Sequence, residues 1–411
     1  MQTQSKIRRH RILRRKGAIA VVFALILIPL LLFVALSIDI GWISKSKSEL
    51  QNVADAAALA GARQLIDSYG AYAMATASEK ENLLKNAKDN AARYVVRYGQ
   101  FNDAGSVKSL SIQDTDIHLG FTDVNGNFDP LYSGYPNTVE VLTRLDSASN
   151  SPLRLFFGGV TGKSNQPLTA TASSTIFTGL INSFDPNGSA WGDDYGGSGN
   201  GSGCSLLPVA FDVNAWTQFL ETGESPDGTM HTNSNGASQI QIYPSPENAP
   251  GNFGLLCIGN WTNSNNEYRN WIVNGPSSAD IQALIDSNQL PVSLGDPKAF
   301  KGSPGLRSSL RKDFESIIGQ PRLLPLFEPA STTPYQAASG AGSNASYKIV
   351  AFVGVSVTAA TGHGNSLDIS VTPCDVMDPT AVFDPSSVYP AGAQPVGQLK
   401  SFAHTVPKLT K

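Results

Sequence analysis

The chain has 411 residues, a formal net charge of −3 and only 15% charged side chains, together with 38 glycines and 25 prolines. This length allows more than one domain, and few charges combined with many turn-forming residues favour a loop-rich extracytoplasmic β protein over a cytosolic enzyme. The acidic balance argues against nucleic-acid binding, which requires a basic surface.

Residues 1–16 form a basic tail that contains no acidic side chain. Positive charges that flank an apolar helix remain on the cytoplasmic side of a membrane. The tail therefore predicts a cytoplasmic N-terminus. The residues that we expect to fix this orientation are Arg8, Arg9, Arg11, Arg14, Arg15 and Lys16.

Residues 17–40 predict a single transmembrane anchor, because positions 18–38 carry no charged side chain. About 20 apolar residues, each rising about 1.5 Å, cover the roughly 30 Å hydrocarbon core of a bilayer. A cleaved signal peptide is the competing interpretation, but its apolar region is only about 7–15 residues long. Trp42 falls where an interfacial aromatic side chain anchors the outer end, and we expect Asp39 to be solvated at this boundary.

Residues 42–66 predict a helix that continues the anchor, because apolar residues recur at intervals of three, four or seven. Many of them are Ala or Gly, and small residues at this spacing let a second helix approach closely. That second helix belongs either to a partner subunit or to this chain, and the sequence leaves both alternatives open. The residues assigned to this packing face are Leu50, Gln51, Ala54, Asp55, Ala57, Ala58 and Gly61.

The run from Gly17 to Trp42, followed by LQNVADAAALA at residues 50–60, resembles the N-terminal module of the TadE/TadG-like proteins of bacterial Flp (tight adherence) pilus systems. Gly17 after the basic tail and Asp39 at the end of the span are part of this resemblance, and a weaker similarity extends to about residue 180. The resemblance implies a non-enzymatic, single-pass protein of the bacterial inner membrane, with the bulk of the chain in the periplasm or at the cell surface. It also implies that its partners are other Tad pilus assembly proteins or pseudopilins.

Residues 78–98 predict a second helix, with Ser78 as its N-cap and Glu81 completing a capping box. Residues 70–72, Gly-Ala-Tyr, are the expected break between the two helices. From about residue 106 the apolar period shifts to two, which indicates β-structure. The expected strands and apolar stretches cover residues 109–114, 116–121, 137–143, 153–160 and 168–176.

Asn125-Gly126 lies between two strand-like runs and predicts a tight hairpin turn, because both turn residues adopt positive φ. The alternating Asp and Asn side chains of residues 123–129 also suggest a calcium loop. An EF-hand-like loop needs Gly at its sixth position and Glu at its twelfth, whereas here Gly126 is fourth and Gly134 is twelfth. The turn is therefore the favoured interpretation.

Residues 183–203 are rich in Gly, Ser, Asn and Asp and predict a flexible linker. They separate an extracytoplasmic region, residues 41–182, from a β-rich α+β domain, residues 204–411. The whole chain is thus predicted to be an α+β protein in which a transmembrane helix continues into a juxtamembrane helix and precedes two β-rich extracytoplasmic regions. In the second region we expect a helix over residues 277–288 and strands over residues 322–327 and 347–359.

The three cysteines of the chain, Cys204, Cys257 and Cys374, all lie beyond this linker. In an oxidising compartment two of them can form a disulfide. Cys204 with Cys257 is the possible pair, and the spacing alone does not determine the connectivity.

No catalytic constellation, metal site or cofactor motif is recognisable, and no small-molecule substrate is evident. The histidines are scattered and match no metal-ligand spacing. Residues 368–372, DISVT, superficially match the DxSxT metal pattern of the von Willebrand factor A-like domains that larger TadG-like proteins can carry. Because Pro373 follows and no helix pattern appears, we interpret these residues as an alternating strand.

The sequence leaves two alternative functions open. A minor pseudopilin-like fibre subunit would be cut after Gly17, but type IV-like prepilins typically have Glu at mature position five, where this chain has Val22. An anchored periplasmic glycan-binding module would need exposed tryptophans as a stacking platform. The tryptophans available for it are Trp191, Trp216, Trp261 and Trp271.

Overall fold

The structure is a computed structural model. It describes residues 18–123, 125–187, 204–225, 230–233, 236–243, 254–259, 264–304, 307–329, 331–332, 335–336, 339, 345–362, 367–384, 387, 389–390, 399–405 and 407–410. The basic tail, with all of the expected orientation residues, lies outside this set, as does most of the predicted linker.

Two long helices occupy residues 18–100 of the described chain, one short helix belongs to the first β region, and four helices belong to the second β region. They are α1 (Ala18–Met74), α2 (Ala77–Gln100), α3 (Gly158–Thr161), α4 (Val213–Thr222), α5 (Asn265–Asn274), α6 (Ser278–Asp286) and α7 (Arg311–Glu315). Short 3₁₀ turns cover Asp114–Asp116 and Ser308–Leu310. The helix expected over residues 277–288 is confirmed as α6.

The strands of the first β region are β1 (Ile117–Thr122), β2 (Phe128–Asp129), β3 (Thr138–Leu145), β4 (Leu153–Arg154), β5 (Asn165–Gln166), β6 (Leu168–Thr175), β7 (Phe177–Thr178) and β8 (Ile181–Phe184). Those of the second are β9 (Val209–Asp212), β10 (His231–Thr232), β11 (Ser238–Tyr243), β12 (Gly254–Leu256), β13 (Lys298–Pro304), β14 (Pro321–Glu328), β15 (Ser331–Thr332), β16 (Tyr335–Gln336), β17 (Ala345–Thr361), β18 (Asp368–Pro373), β19 (Ala381–Phe383), β20 (Tyr389–Pro390) and β21 (Lys408–Leu409). The α+β class is therefore confirmed.

The predicted anchor and the predicted juxtamembrane helix form one continuous helix, α1, of 57 residues. The expected break at residues 70–72 is wrong, because the helix runs through it. Ile66 and Tyr69 are buried there, and the Gly70 N–H donates to the carboxylate of Asp375. Tertiary packing thus overrides the local glycine signal.

The N-cap of α2 is Thr76 rather than the predicted Ser78. The N–H and the hydroxyl of Thr76 both donate to the Glu79 carboxylate, at 3.1 and 2.6 Å. The sequence offers the same capping spacing twice, two residues apart, and the earlier pair is used. The hydrogen bonds from Thr76 hold the pKa of Glu79 below its ordinary value.

A five-stranded antiparallel sheet in the order β2-β1-β3-β6-β21 packs against α1 and α2. β3 and β6 pair over their full lengths, from Thr138 opposite Thr175 to Leu145 opposite Leu168. The alternation of apolar and polar residues turns Val139 and Val141 into the core shared with the two helices. The expected strands over residues 137–143 and 168–176 are confirmed.

Residues 109–114, expected as a strand, have an irregular backbone instead. The Leu110 N–H donates to the carbonyl oxygen of Asn102, and the Ser111 N–H donates to the side chain of Asn150 at 2.9 Å. Loops therefore satisfy backbone groups that a strand would pair in a ladder. Leu110 is nevertheless fully buried, which explains why the apolar pattern resembles that of a strand.

The predicted turn between β1 and β2 is confirmed. Gly126 has a φ of +85°, and its N–H donates to the carbonyl oxygen of Asp123 at 3.1 Å. The Asp123 carboxylate accepts the backbone N–H groups of Asn125 and Asn127, at 2.9 and 2.8 Å. The hydrogen bond from the Asn127 side chain, together with these backbone bonds, holds the pKa of Asp123 below its ordinary value. The side chains that suggested calcium thus stabilise the turn itself.

The second β region is a larger sheet in the order β10-β11-β18-β17-β13-β12-β9-β14, in which β14 also pairs with β17. β17, β13, β12, β9 and β14 therefore close on themselves as a barrel. The long strand β17 pairs with β13, β14 and β18.

The strands expected over residues 322–327 and 347–359 are confirmed as β14 and β17. Residues 368–372 lie in β18, where Ile369 and Val371 are the buried side chains, so the alternating-strand interpretation is also confirmed.

Strands cross between the two β regions near the predicted linker and again at β21. β8 pairs with β17 and β19 of the second region, and β21 joins the first sheet beside β6. Ser183 and Phe184, expected in the linker, are part of β8. These residues belong to a strand rather than to the linker because Phe184 is buried, with its ring centroid 5.1 Å from that of Phe352.

Candidate functional site

The apolar part of α1 from Val21 to Ile38 is exposed. The large apolar side chains from Val21 to Ile38 face outward, and Phe33 is 69% exposed. By length and composition this helix is able to cross a membrane, and its most apolar window is not buried by any described part of the chain. Because a contiguous apolar surface of this size is unfavourable in water, lipid is the environment that matches it.

Asp39 lies at the C-terminal end of this apolar surface and is not solvated, so the expectation of a solvated Asp39 is wrong. It is only 3% exposed, and its carboxylate accepts the N–H of Phe156 at 2.8 Å and the N–H of Phe157 at 3.1 Å. The sequence does not reveal these donors, because they lie more than a hundred positions along the chain. The carboxylate therefore fixes the loop that contains Phe156 and Phe157 to the end of the exposed apolar part of α1.

Trp42 lies one helical turn after Asp39 and holds the same loop. Its indole N–H donates to the carbonyl oxygen of Arg154 at 3.2 Å, and its ring centroid is 5.5 Å from that of Phe156. Residues three apart lie on the same face of a helix, so Asp39 and Trp42 act together. The C-terminal end of the exposed apolar part of α1 is thus joined directly to the β4–β5 hairpin.

The predicted packing face of α1 is occupied within this chain. Leu50 packs with Leu145 and Leu153 of the first β region, and Gln51 donates to Asp55 and to the carbonyl oxygen of Thr171. The small residues Ala54, Ala57, Ala58 and Gly61 lie against α2 and the sheet. Of the two alternatives left open, the structure describes contact with a helix of the same chain.

A buried polar cluster joins the far end of α1 to the second β region. The Thr178 hydroxyl is 2.9 Å from Nδ1 of His404, and Nε2 of His404 is 2.7 Å from the Asp375 carboxylate. The other oxygen of Asp375 accepts the N–H of Gly70, and the Tyr69 ring packs edge-on against His404 with centroids 5.1 Å apart. Sequence reasoning missed this cluster, because no short-range spacing connects its members.

The order hydroxyl, imidazole, carboxylate in this cluster is also that of nucleophilic hydrolases. Catalysis requires a substrate to reach the hydroxyl, and Thr178 and the His404 side chain are 1% and 0% exposed. The arrangement therefore serves to tie α1, β7 and the segment before β21 together.

The possible disulfide between Cys204 and Cys257 is wrong, because both are free thiols, as is Cys374. Each thiol packs against a different group. The Cys257 sulfur lies 3.8 Å from the Tyr268 hydroxyl, while Cys204 is buried beside Asp378. Burial raises the pKa of Cys257 and of Cys374 to about 11, and it also raises the pKa of Cys204.

The tryptophan platform of the glycan-binding alternative is not available at the described positions. Trp216 is fully buried and Trp271 is 3% exposed, and the Trp271 indole N–H donates to Asp280 at 3.1 Å. Trp191 and Trp261 lie outside the described residues. Within the described part of the chain, there is also no cluster of three His, Cys, Asp or Glu side chains placed to hold a metal ion.

Comparison with known proteins supports the family resemblance at the N-terminus and identifies no relative of the rest of the chain. No curated protein and no solved structure matches the chain significantly. Residues 17–64 match a protein-family model described as "Putative Flp pilus-assembly TadE/G-like". The matched segment contains Asp39, Trp42 and the whole packing face, and it ends before α2. The resemblance inferred from Gly17, Asp39 and residues 50–60 is thereby confirmed, and this N-terminal segment is similar to the TadE/G-like module of Flp pilus assembly.

Proposed function

We propose that this protein is a single-pass, membrane-anchored component of a bacterial Flp/Tad-type pilus assembly apparatus that acts through binding contacts rather than catalysis. One observation carries the proposal: residues 17–64, which match the pilus-assembly family, coincide with the exposed span of α1 and the buried face that follows it. A generic anchor would need the apolar span but not the alanine-rich face in the same register.

The proposed location is the bacterial inner membrane, with a cytoplasmic N-terminus and the bulk of the chain in the periplasm or at the cell surface. The support is the basic tail, because positive residues beside a span stay on the cytoplasmic side. Alkaline phosphatase fused after Lys411 is expected to be active, since it folds only outside the cytoplasm. Activity from a fusion placed before residue 17 instead would contradict this orientation.

The proposed partners are other Tad pilus assembly proteins or pseudopilins, contacted by the outer domain and by the exposed span. Because Ala57 is fully buried within this chain, partner helices are assigned to the part of α1 before Asp39. Leu31, which is 58% exposed, represents that surface.

A photo-reactive residue at position 31 in the native bacterium tests this assignment, with one at position 57 as the matched control on the same helix. The expected result is capture of Tad membrane components or pseudopilins from position 31 and of this chain alone from position 57. If position 31 captured no pilus assembly protein, a role for the span in the apparatus would be contradicted.

A minor pseudopilin-like fibre subunit is the alternative, and it predicts a different N-terminus. Sequencing the purified protein distinguishes the two. A chain that retains its basic tail supports the assembly role, whereas a mature N-terminus at Ala18 would support the fibre subunit.

A further inference from the structure

The tip of the β4–β5 hairpin presents an apolar surface to the outside. This apolar loop, residues 155–162, carries no charged side chain. Phe156 is 67% exposed, Val160 is 63% exposed and Phe157 is 39% exposed. The base of the loop is closed by the Leu155 N–H, which donates to the carbonyl oxygen of Ser164 at 3.0 Å. The apolar side chains are therefore displayed by an ordered hairpin tip.

Two side chains of α1 place this apolar loop at the outer end of the span. Asp39 accepts the backbone N–H groups of Phe156 and Phe157, and Trp42 packs on Phe156 with ring centroids 5.5 Å apart. At about 1.5 Å per residue, residues 21–40 extend over about 30 Å, which is the thickness of the hydrocarbon core. Asp39 and Trp42 therefore lie at the level where acyl chains meet headgroups.

The charges at the edges of the loop fit the same environment. Arg154 and Lys163 flank it and are both exposed, so an apolar tip is bordered by two cations. Segments of this kind bind membrane interfaces, with aromatic and aliphatic side chains in the acyl boundary and basic residues among anionic headgroups. The apolar surface is also continuous with the exposed span beside it, which favours lipid over a protein partner.

We propose that residues 155–162 insert into the outer headgroup layer of the membrane that α1 spans. This inference rests on the proposed membrane anchoring of α1. The loop gives the outer domain a second membrane contact, so that the domain is held in one orientation rather than turning freely about the anchor.

The test uses the full chain in vesicles of phosphatidylethanolamine and phosphatidylglycerol, with a fluorescent NBD label on one cysteine at a time in a Cys374→Ser background. Val160→Cys reports on the loop, and Leu31→Cys reports on the span. Leu131→Cys is the distal control, since Leu131 is 90% exposed. Leu131 is four residues from Tyr135, whose hydroxyl donates to the carbonyl oxygen of Leu65. Leu65 lies roughly 40 Å along α1 from Asp39, so position 131 is far from the membrane.

Lipids that carry a quenching doxyl group are then added in separate samples, with the doxyl near the headgroup end of the acyl chain for position 160, near its methyl end for position 31, and in both places for position 131. The expected result is at least about twofold quenching of the label at position 160, as for a buried interfacial group, and none at position 131. Quenching at position 31 without quenching at position 160 would overturn the loop proposal while the anchor stands. Loss of quenching at both positions would overturn the anchor together with the loop.

Discussion

Gly61 of α1 lies so close to Val95 of α2 that a Cβ on the glycine would be 2.6 Å from a methyl carbon of the valine. Val139 of β3 closes the other side, with a methyl carbon 3.1 Å from the same point. Three elements of the first β region thus meet at a position with no room for a side chain. This position lies inside the segment that matches the pilus-assembly family.

Gly61→Ala is expected to lower the free energy of unfolding by about 1–3 kcal/mol, because overpacking forces the two helices apart. This loss outweighs the roughly 1 kcal/mol by which alanine favours a helix over glycine. Denaturant unfolding in detergent micelles measures the change. Gly41→Ala is the matched control on the same helix, since no described atom beyond the neighbouring helix backbone lies within 4 Å of a Cβ at that position. If both substitutions stabilised the protein equally, the close approach of Val95 to Gly61 would be refuted.

Asp39→Ala is expected to loosen the attachment of the apolar loop to α1. The substitution leaves the N–H groups of Phe156 and Phe157 without their acceptor, at a cost of about 1–3 kcal/mol for each unsatisfied group. Hydrogen–deuterium exchange should then be faster at these two amides. Asp39→Asn retains one acceptor oxygen and should give an intermediate rate. Unchanged exchange in the alanine variant would show that the carboxylate does not hold the loop.

Thr178→Val is expected to destabilise the junction between α1 and the second β region. It preserves the side-chain volume but removes the hydroxyl that lies 2.9 Å from Nδ1 of His404, at a cost of about 1–3 kcal/mol. Thr217→Val is the control, because that hydroxyl bonds only a carbonyl of its own helix among the contacts described; its effect should stay within about 0.5 kcal/mol. Similar changes in the unfolding midpoint for both variants would contradict a specific role for the cluster.

The pH dependence of stability is expected to reveal the buried carboxyl of Asp212. Burial raises its pKa above the ordinary 3.8, although the N–H groups of Asn214 and Ala215 donate to it. Its stabilising contribution is therefore complete below pH 3.8 and is lost as the pH rises through the raised pKa. Asp212→Asn keeps an N-cap acceptor but does not ionise.

The stability of the Asp212→Asn variant relative to the unsubstituted protein should therefore increase from acid to neutral pH and then level off. Urea unfolding at a series of pH values measures this difference. A difference that did not vary with pH would mean that the carboxyl titrates alike in the folded and unfolded chain.

The cysteines are expected to behave as three free, protected thiols. Only the thiolate reacts with iodoacetamide, and pKa values of about 11 for Cys257 and Cys374 leave little thiolate near pH 8. The folded protein should therefore be alkylated slowly, and the unfolded protein should be alkylated at all three positions without a reductant. Mass spectrometry counts the additions. If Cys204 and Cys257 were alkylated only after reduction, they would form a disulfide and the free-thiol assignment would be wrong.

The features that the sequence predicts well are those whose pattern is local and long. The uncharged run of residues 18–38 and the alanine-rich repeat after it are contained in one helix, α1. The long strand β17 is recognisable because its β-branched and apolar residues extend over many positions. Asn125-Gly126 identifies the β1–β2 turn through the backbone conformation that it requires.

The features that the sequence does not predict depend on residues far apart along the chain. The helix continues through Gly70, whose N–H donates to Asp375, 305 positions away. Asp39 is buried beside the N–H groups of Phe156 and Phe157, and Thr178 contacts His404, 226 positions away. From the local sequence alone, none of these residues is predicted to make a buried polar contact.

The most direct test of the proposed function is an in-frame deletion of the gene in the bacterium that encodes this chain, followed by counting Flp pili on the cell surface by electron microscopy. The predicted result is a loss of Flp pili that the intact chain restores when it is supplied in trans. A deletion strain that assembles Flp pili in the same number as its parent would contradict a role in pilus assembly.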